Sequence, residues 1–336
     1  MASAGSAPPF GTVAAPMMVV SRSVDGVFEP PQVVPVQPLE LHPFAHALHY
    51  GSSCFEGLKA HRGADGDVRL FRAERHARRL AESAVRLSLP EVDPDHVLAM
   101  IEAAVRANLE VTPPAPGALY LRPVLLGTDP NIGAAAAPSA DAMLYVIASP
   151  VGDYFAGGLR PLTLLVETRV PRTTPQFGQV KTGANYAMAL NVTLAAQRDH
   201  QADQVLFAPG GDVQETGAAN FLLIDAQRVV TKGLDGSFLH GVTRDSVLSL
   251  ARELGFAVEE RDISIDEIID WAKRGEAALA GTAAVLSGVG TLIVEGRRIT
   301  VGTGGVGEVT QKLRNALVAV QQGEREDAHG WTTVVA

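Results

Sequence analysis

A lysine that does covalent work must be partly stripped of water, and this chain has few lysines to choose among. Only Lys59, Lys181, Lys232, Lys273 and Lys312 occur. Lys181 stands in Val180-Lys181-Thr182-Gly183-Ala184-Asn185-Tyr186, after an apolar residue and before small ones. No charged residue occupies the four positions on its N-terminal side. An amine in such surroundings loses part of its preference for the charged form, which is the condition for attack on a carbonyl. Taken alone, the stretch reads more readily as a surface lysine in a glycine-rich turn.

A Schiff-base lysine serving pyridoxal phosphate would need three further things. These are an acid that keeps the pyridine nitrogen protonated, anchors for the phosphate, and a group at the ring oxygen. Glu215, in Val213-Gln214-Glu215-Thr216-Gly217, stands at a strand end followed by small residues that admit a flat ring. A solvated hairpin glutamate accounts for it equally well. Tyr186, five residues after Lys181, could reach the same ligand, although a lone tyrosine more often packs. Phosphate favours helix N-termini, where N–H groups lack partners. Gly241-Val242-Thr243 opens an amphipathic helix, and Gly281-Thr282-Ala283-Ala284 offers a second nest of amides with a hydroxyl. Arg79 could supply a fixed charge, but Arg72, Arg75 and Arg78 crowd the same segment and most of that group must be solvated.

The elements that would position these residues follow from hydrophobic spacing. The pattern predicts a strand over 68–71 and a helix over 75–89, with Leu80, Ala84 and Leu87 on one face. Near-continuous apolar runs at 119–127 and 142–150 predict buried strands. A turn-rich segment, 151–158, breaks the pattern and is read as a link between domains. Beyond it the spacing predicts a strand over 162–168 and a helix over 185–198. Short strands are expected over 204–208, 212–216, 220–224 and 228–231, with Pro209-Gly210-Gly211 turning the first hairpin. Helices are expected over 243–254, 265–274 and 308–322. Strands and helices interleave without regular βαβ alternation, so the expected class is α+β. The expected division is a small domain over 1–151, a loop over 152–162 and a large domain over 163–336.

Composition narrows the function classes. In 336 residues, 46% hydrophobic and 19% charged content describes a globular chain with ample core. A net charge of −9 argues against nucleic acid or an anionic membrane as the main partner. One cysteine, Cys54, excludes an intrachain disulfide and a cysteine-based zinc site. The nine histidines show no close ligand pairing, so no metal is expected. The first ten residues, MASAGSAPPF, have neither a basic nor an apolar signal region, and no uncharged apolar run reaches membrane-spanning length. A cytoplasmic enzyme is the expectation.

Several stretches, in order, resemble one family. They are 48–60 (LHYGSSCFEGLKA), 70–72 (LFR), 119–123 (LYLRP), 151–155 (VGDYF), 181–186 (KTGANY), 241–244 (GVTR) and 281–284 (GTAA), with Gln322-Gly323 and His329-Gly330-Trp331 closing the chain. Each is unspecific, but the succession, from about Phe10 to Trp331, is similar to that of the branched-chain aminotransferases. The resemblance implies the fold-type IV architecture, with a smaller N-terminal α/β domain, a larger C-terminal pseudobarrel and pyridoxal 5'-phosphate between them. It implies homodimers or larger assemblies whose active sites borrow from the neighbour.

By motif position, Lys181 resembles the catalytic Schiff-base lysine, Glu215 the partner of the pyridine nitrogen, and Tyr186 the tyrosine on the ring hydroxyl. Arg79, Val242, Thr243 and Thr282 resemble phosphate contacts, and Leu239 a further cofactor contact. Phe10, Tyr50, Phe55, Tyr120, Arg122, Tyr154 and Ala283 correspond to positions around the substrate, Tyr50 reaching across the dimer. The implied reaction moves the amino group of leucine, isoleucine or valine to 2-oxoglutarate. One pocket must then take an apolar branch and, in turn, a carboxylate. Phe55, Tyr120 and Tyr154 would face the first, and Arg122 would pair with the second.

The chain departs from the family pattern in places that bear on substrate range. Pro16-Met17-Met18 replaces Asp-His-Met, Ala277-Ala278 removes an aromatic before Gly281, and Gly217-Ala218-Ala219 follows Glu215. Ala284 and Gly288 stand where some animal members carry a Cys-x-x-Cys pair. The alternatives inside the fold are an aminotransferase of a specialised pathway, a D-amino-acid aminotransferase and an aminodeoxychorismate lyase. The last two are generally shorter and lack the combination of 48–60 with 119–123.

Overall fold

The structure, a computed structural model, describes residues 10–152 and 158–336. It is α+β, and its chain divides into two compact units. The first comprises Met1–Ala156, Val180–Gly183 and Val320–Ala336; the second comprises Gly157–Gln179 and Ala184–Ala319. Lys181 therefore belongs to the first unit, although the stretches that flank Val180–Gly183, ending at Gln179 and resuming at Ala184, belong to the second. The segment 153–157, with Tyr154 and most of the link expected over 151–158, lies outside the described residues.

The first unit is built on one sheet. Its strands are β1 (Met17–Val24), β2 (Val27–Phe28), β3 (Gln32–Pro35), β4 (Ser53–Phe55), β5 (Leu58–Arg62), β6 (Val68–Phe71), β7 (Ala118–Gly127), β8 (Ala142–Val151) and a C-terminal strand, Thr332–Val334. β7 and β8 are antiparallel along their whole length, with Tyr120 opposite Ser149 and Arg122 opposite Ile147. Alternation puts Leu119, Leu121, Leu144, Val146 and Ala148 into a dry core. It leaves Tyr120, Arg122, Ile147 and Ser149 on the opposite face.

Helices α1 (His46–Tyr50), α2 (Ala73–Arg86) and α3 (Pro94–Ala107) complete this unit. α3 starts where Asp93 accepts a hydrogen bond from the Asp95 N–H at 2.9 Å, with Pro94 in the first turn. α2 buries Ala73, His76, Ala77, Leu80, Ser83 and Ala84, the stripe that a period of 3.6 dictates. That stripe is not wholly apolar, since His76, Arg79 and Ser83 lie on it. Leu87, expected on the helical face, is already its C-cap.

The second unit holds an eight-stranded mixed sheet among the described residues. Its strands are β9 (Leu162–Glu167), β10 (Gln204–Phe207), β11 (Asn220–Ile224), β12 (Arg228–Thr231), β13 (Ala257–Glu260), β14 (Glu276–Gly281), β15 (Val285–Val294) and β16 (Arg297–Thr300). The helices are α4 (Gly183–His200), α5 (Val242–Glu253), α6 (Ile265–Ala272) and α7 (Glu308–Gln321). Phe221, Leu279, Leu292 and Trp271 sit in its core.

The strand expected over 212–216 is not formed as a continuous element. Pro209–Gly211 makes a single tight turn, with Gly210 and Gly211 at φ of 62° and 94°. The returning chain exchanges backbone hydrogen bonds between Phe207 and Gln214–Glu215, and is then turned by the Thr216 side chain. Isolated bridges at Asp212, Glu215 and Thr216 replace the ladder.

Candidate active site

In the first unit, one aromatic ring gathers the chemistry. The Lys181 ammonium nitrogen lies 5.1 Å from the centroid of Phe55, and the Arg122 guanidinium lies 4.5 Å from the same ring. Backbone contacts fix the lysine. Its N–H donates to Ser83 Oγ of α2 at 3.1 Å, and its carbonyl accepts from the Phe55 N–H at 2.9 Å. Arg122 donates through Nη2 to the Tyr120 hydroxyl at 2.7 Å, while its buried Nε has no hydrogen-bond partner among the described residues. A cavity of about 360 Å³ is lined by Phe10, Tyr120, Arg122 and Ser149 among others. Phe10 meets Tyr120 edge-on, centroids 5.0 Å apart. Gly57 is a required glycine, because the Tyr120 hydroxyl occupies the space that a Cβ there would fill.

Arg79 comes from α2 and is paired, not solvated. Its Nε donates to Glu56 Oε1 at 2.6 Å and its Nη2 to Oε2 at 2.9 Å; His76 meets Oε2 at 2.7 Å. Tyr50 is not among the residues lining the cavity. It sits at the end of α1, 37% exposed, with its hydroxyl donating to the Ile132 carbonyl.

In the second unit, Glu215 is 3% exposed, which removes the solvated-hairpin account. Oε1 accepts from Arg172 Nη2 at 2.7 Å and from the Leu239 N–H at 3.0 Å, and Oε2 accepts from Asn220 Nδ2 at 3.0 Å. Asn220 also donates to the Leu239 carbonyl at 2.8 Å. Gly241 makes room for this amide, since a Cβ there would collide with Asn220 Oδ1.

α5 begins immediately after Gly241 without a side-chain cap, and Val242 and Thr243 are buried in its first turn. Tyr186 is half-buried near the start of α4, where Asn185 is tied by Thr173 Oγ1 at 2.7 Å and by the Phe177 carbonyl at 3.0 Å. Thr282 and Ala283 lie in the turn joining β14 to β15. That turn ends on Val285 at φ 63°, a costly conformation for a β-branched residue. Arg314 of α7 holds it by donating to the carbonyls of Ala284 and Leu286.

Motif reasoning missed Glu56, His76 and Ser83 in the first unit and Arg172 and Asn220 in the second. Glu56 lies inside the 48–60 stretch and was legible as a carboxylate next to a glycine. Arg172 carried no such signal.

The residues present fit pyridoxal phosphate. They include an amine on an aromatic ring, a buried carboxylate held by a guanidinium and two amide donors, and an uncapped helix N-terminus beside a buried threonine. No helix among the described residues is long and apolar enough to cross a membrane, and no group of metal-ligating side chains occurs among them.

Comparison with known proteins agrees with this chemistry. The family described as amino-transferase class IV matches residues 53–291. Branched-chain-amino-acid aminotransferase 2 of Bacillus subtilis (strain 168) is 38% identical over 328 residues, 95% of this chain and 90% of that relative. The branched-chain amino acid aminotransferase from Escherichia coli superposes with a TM-score of 0.78 at 27% identity, over 96% of this chain and 99% of that one. The T.th. branched-chain amino acid aminotransferase, complexed with N-(5'-phosphopyridoxyl)-L-glutamate, gives 0.77 at 26% identity, over 97% of this chain and 100% of that one.

Proposed function

The chain belongs to the class IV aminotransferases, and from that membership we propose that it transfers the amino group of a branched-chain L-amino acid to 2-oxoglutarate through pyridoxal phosphate. The observation that carries the reading is the single Phe55 ring, which both Lys181 and Arg122 approach. An apolar surface next to a reactive amine suits a branched aliphatic side chain. A guanidinium on the same surface suits the distal carboxylate of the second substrate. The similar T.th. enzyme, with its phosphopyridoxyl-L-glutamate, supports the second half.

Pyridoxal phosphate, when bound, supplies an electron sink for the pair left behind when the amino acid loses its α-proton. Lys181 Nζ is the group that takes that proton from Cα and carries it onward. Glu215, which accepts from Arg172 and Asn220, would pair with the pyridine nitrogen and keep it protonated. Tyr186 would hydrogen-bond the ring oxygen, Leu239 would lie beside the ring, and Arg79, Val242, Thr243 and Thr282 would hold the phosphate. Phe10, Tyr120 and Ala283 would wall the substrate, the role that motif position also assigns to Tyr154, which lies outside the described residues. Tyr50 would wall it from a second copy of the chain.

The assembly is at least a homodimer in this reading. Its support is the large apolar side chains left at the surface, Met188, Leu190 and Leu194 on α4, and Phe44, Leu48 and Ile132 in the first unit. The cytoplasm, where amino acids and 2-oxo acids meet, is the compartment that goes with it. The test is a donor panel with 2-oxoglutarate, following glutamate formation from L-leucine, L-isoleucine, L-valine and D-alanine, with pyruvate release from aminodeoxychorismate followed in a separate arm. Turnover of D-alanine, or of aminodeoxychorismate, without turnover of the three branched donors would overturn the proposal.

A further inference from the structure

The buried charges beside Lys181 do more than neutralise one another. α2 presents His76 and Arg79 three residues apart, hence on one face, to Glu56, which is fully buried after β4. The carboxylate accepts from Arg79 Nε at 2.6 Å, Arg79 Nη2 at 2.9 Å, His76 Nδ1 at 2.7 Å and the Gly57 N–H at 3.1 Å.

Burial would push the Glu56 carboxyl up, but Arg79 and His76 overcome it and hold the group well below the usual carboxylate range. Burial pushes the His76 imidazole down, against the pull of Glu56, and the charges of Arg79 and Lys181 push the same way. Because a carboxylate only accepts, the proton between the two groups sits on His76 Nδ1.

Two consequences follow. The Arg79 charge is already compensated, so Arg79 offers a ligand direction more than net charge. And with Nε and Nη2 both forked onto a carboxylate that His76 keeps from turning, the guanidinium plane is fixed. Stability alone does not account for the cluster, because apolar replacement of a buried ion pair is often neutral or stabilising.

We propose that Glu56 is a positioning residue that, braced by His76, aims Arg79 at the cofactor phosphate. This rests on the reading of Arg79 as a phosphate ligand. Glu56→Gln keeps the volume but turns one acceptor into a donor, so the fork onto Arg79 is lost. The probes are pyridoxal phosphate and pyridoxal, which lacks the phosphate, each titrated into cofactor-free protein and followed by the absorbance of the bound chromophore.

Glu56→Gln should raise the Kd for pyridoxal phosphate about 10- to 100-fold, the scale of a lost charged hydrogen bond, and leave that for pyridoxal within about twofold. Arg79→Lys should show the same selectivity, and adding Glu56→Gln to it should change little, since the effect runs through Arg79. If Glu56→Gln weakens both probes by one factor, the cluster is a packing device and the proposal falls. If Arg79→Lys weakens pyridoxal phosphate selectively and Glu56→Gln does not, the proposal falls while the phosphate reading stands. If Arg79→Lys has no effect, both fall. Should Glu56→Gln fail to fold, Glu56→Asp keeps the charge but withdraws it by one methylene. It must show the same selective loss, smaller in size; an unselective loss or none overturns the proposal.

Discussion

Replacing Glu215 with glutamine tests more than catalysis, because the structure places a second charge against it. Arg172 is 4% exposed and donates to Glu215 Oε1 at 2.7 Å, and its Nε finds no partner among the described residues. Three donors converge on the carboxylate: the guanidinium, the Asn220 amide and the Leu239 N–H. Glutamine offers one acceptor oxygen where these donors had two, and turns an N–H₂ toward one of them. It also leaves the guanidinium buried without a counter-charge.

Removing one member of a buried pair costs about 3–5 kcal/mol. The expectation is therefore a cofactor-free Glu215→Gln protein destabilised by that amount in urea unfolding, on top of a large fall in the rate of α-proton abstraction by the loaded enzyme. Arg172→Met in the same background removes the orphaned charge, and should return at least about 2 kcal/mol through non-additivity. A loss below about 1 kcal/mol in the single variant, or strict additivity in the double, would refute the claim that this carboxylate neutralises Arg172.

Three further outcomes are expected. Lys181→Ala should abolish the borohydride-trappable adduct with pyridoxal phosphate and lower turnover by several orders of magnitude; a labelled peptide containing Lys59 or Lys232 instead would sink the assignment. Arg122→Met should cost about 2–4 kcal/mol in single-turnover k/K with 2-oxoglutarate and far less with leucine, and an equal fall with both would make Arg122 a supporting residue only. His61, buried on β5 with neither ring nitrogen partnered among the described residues, is pushed down from 6.5 to about 3, chiefly by burial and then by Lys59. Between those values the unfolded chain holds the extra proton. The stability that His61 contributes is thus complete above pH 6.5 and is lost on acidification toward 3, at about 1.4 kcal/mol per pH unit. His61→Leu should flatten that slope without loss at neutral pH; an unchanged slope in urea unfolding would show the imidazole to be solvated.

What was legible in the sequence was local. The apolar runs around Tyr120 and Ser149 became β7 and β8 within one residue of the expected ends, because a strand buried on a core face must alternate whatever lies beyond it. Helix α2 was visible by period, though it starts two residues before the expected helix and ends three short of it, and α4 runs two residues past the expected bounds at each end. Glu215 was found through its neighbours, but those neighbours fitted an open hairpin equally well. The groups that bury it, Arg172 and Asn220, lie 43 residues before and 5 after, and neither has a local pattern that differs from an ordinary loop or strand residue. His76, and the partner that Arg79 would take, were hidden differently. On a helix stripe, a polar residue normally signals the solvent side, and only the tertiary partner, Glu56, inverts that rule. Sequence periodicity reports which face is buried; it does not report which charges meet there.

The interleaving of the two units sets how the chain can be cut and recombined. The first unit is assembled from three stretches, and the four residues around Lys181 are one of them, held by Ser83 and Phe55. A chimaera made with a relative by a single crossover at residue 156 would take β1 to β8 from one parent. It would take the lysine, and the strand Thr332–Val334 that pairs with β6, from the other. The seams would then fall inside the first unit, at the Ser83 hydroxyl and along the edge of its sheet. A clean exchange of that unit needs, besides the crossover at 156, one on each side of 180–183 and another near 320. Shuffled libraries of this family should accordingly keep their folded members where 83, 181 and 332 share a parent.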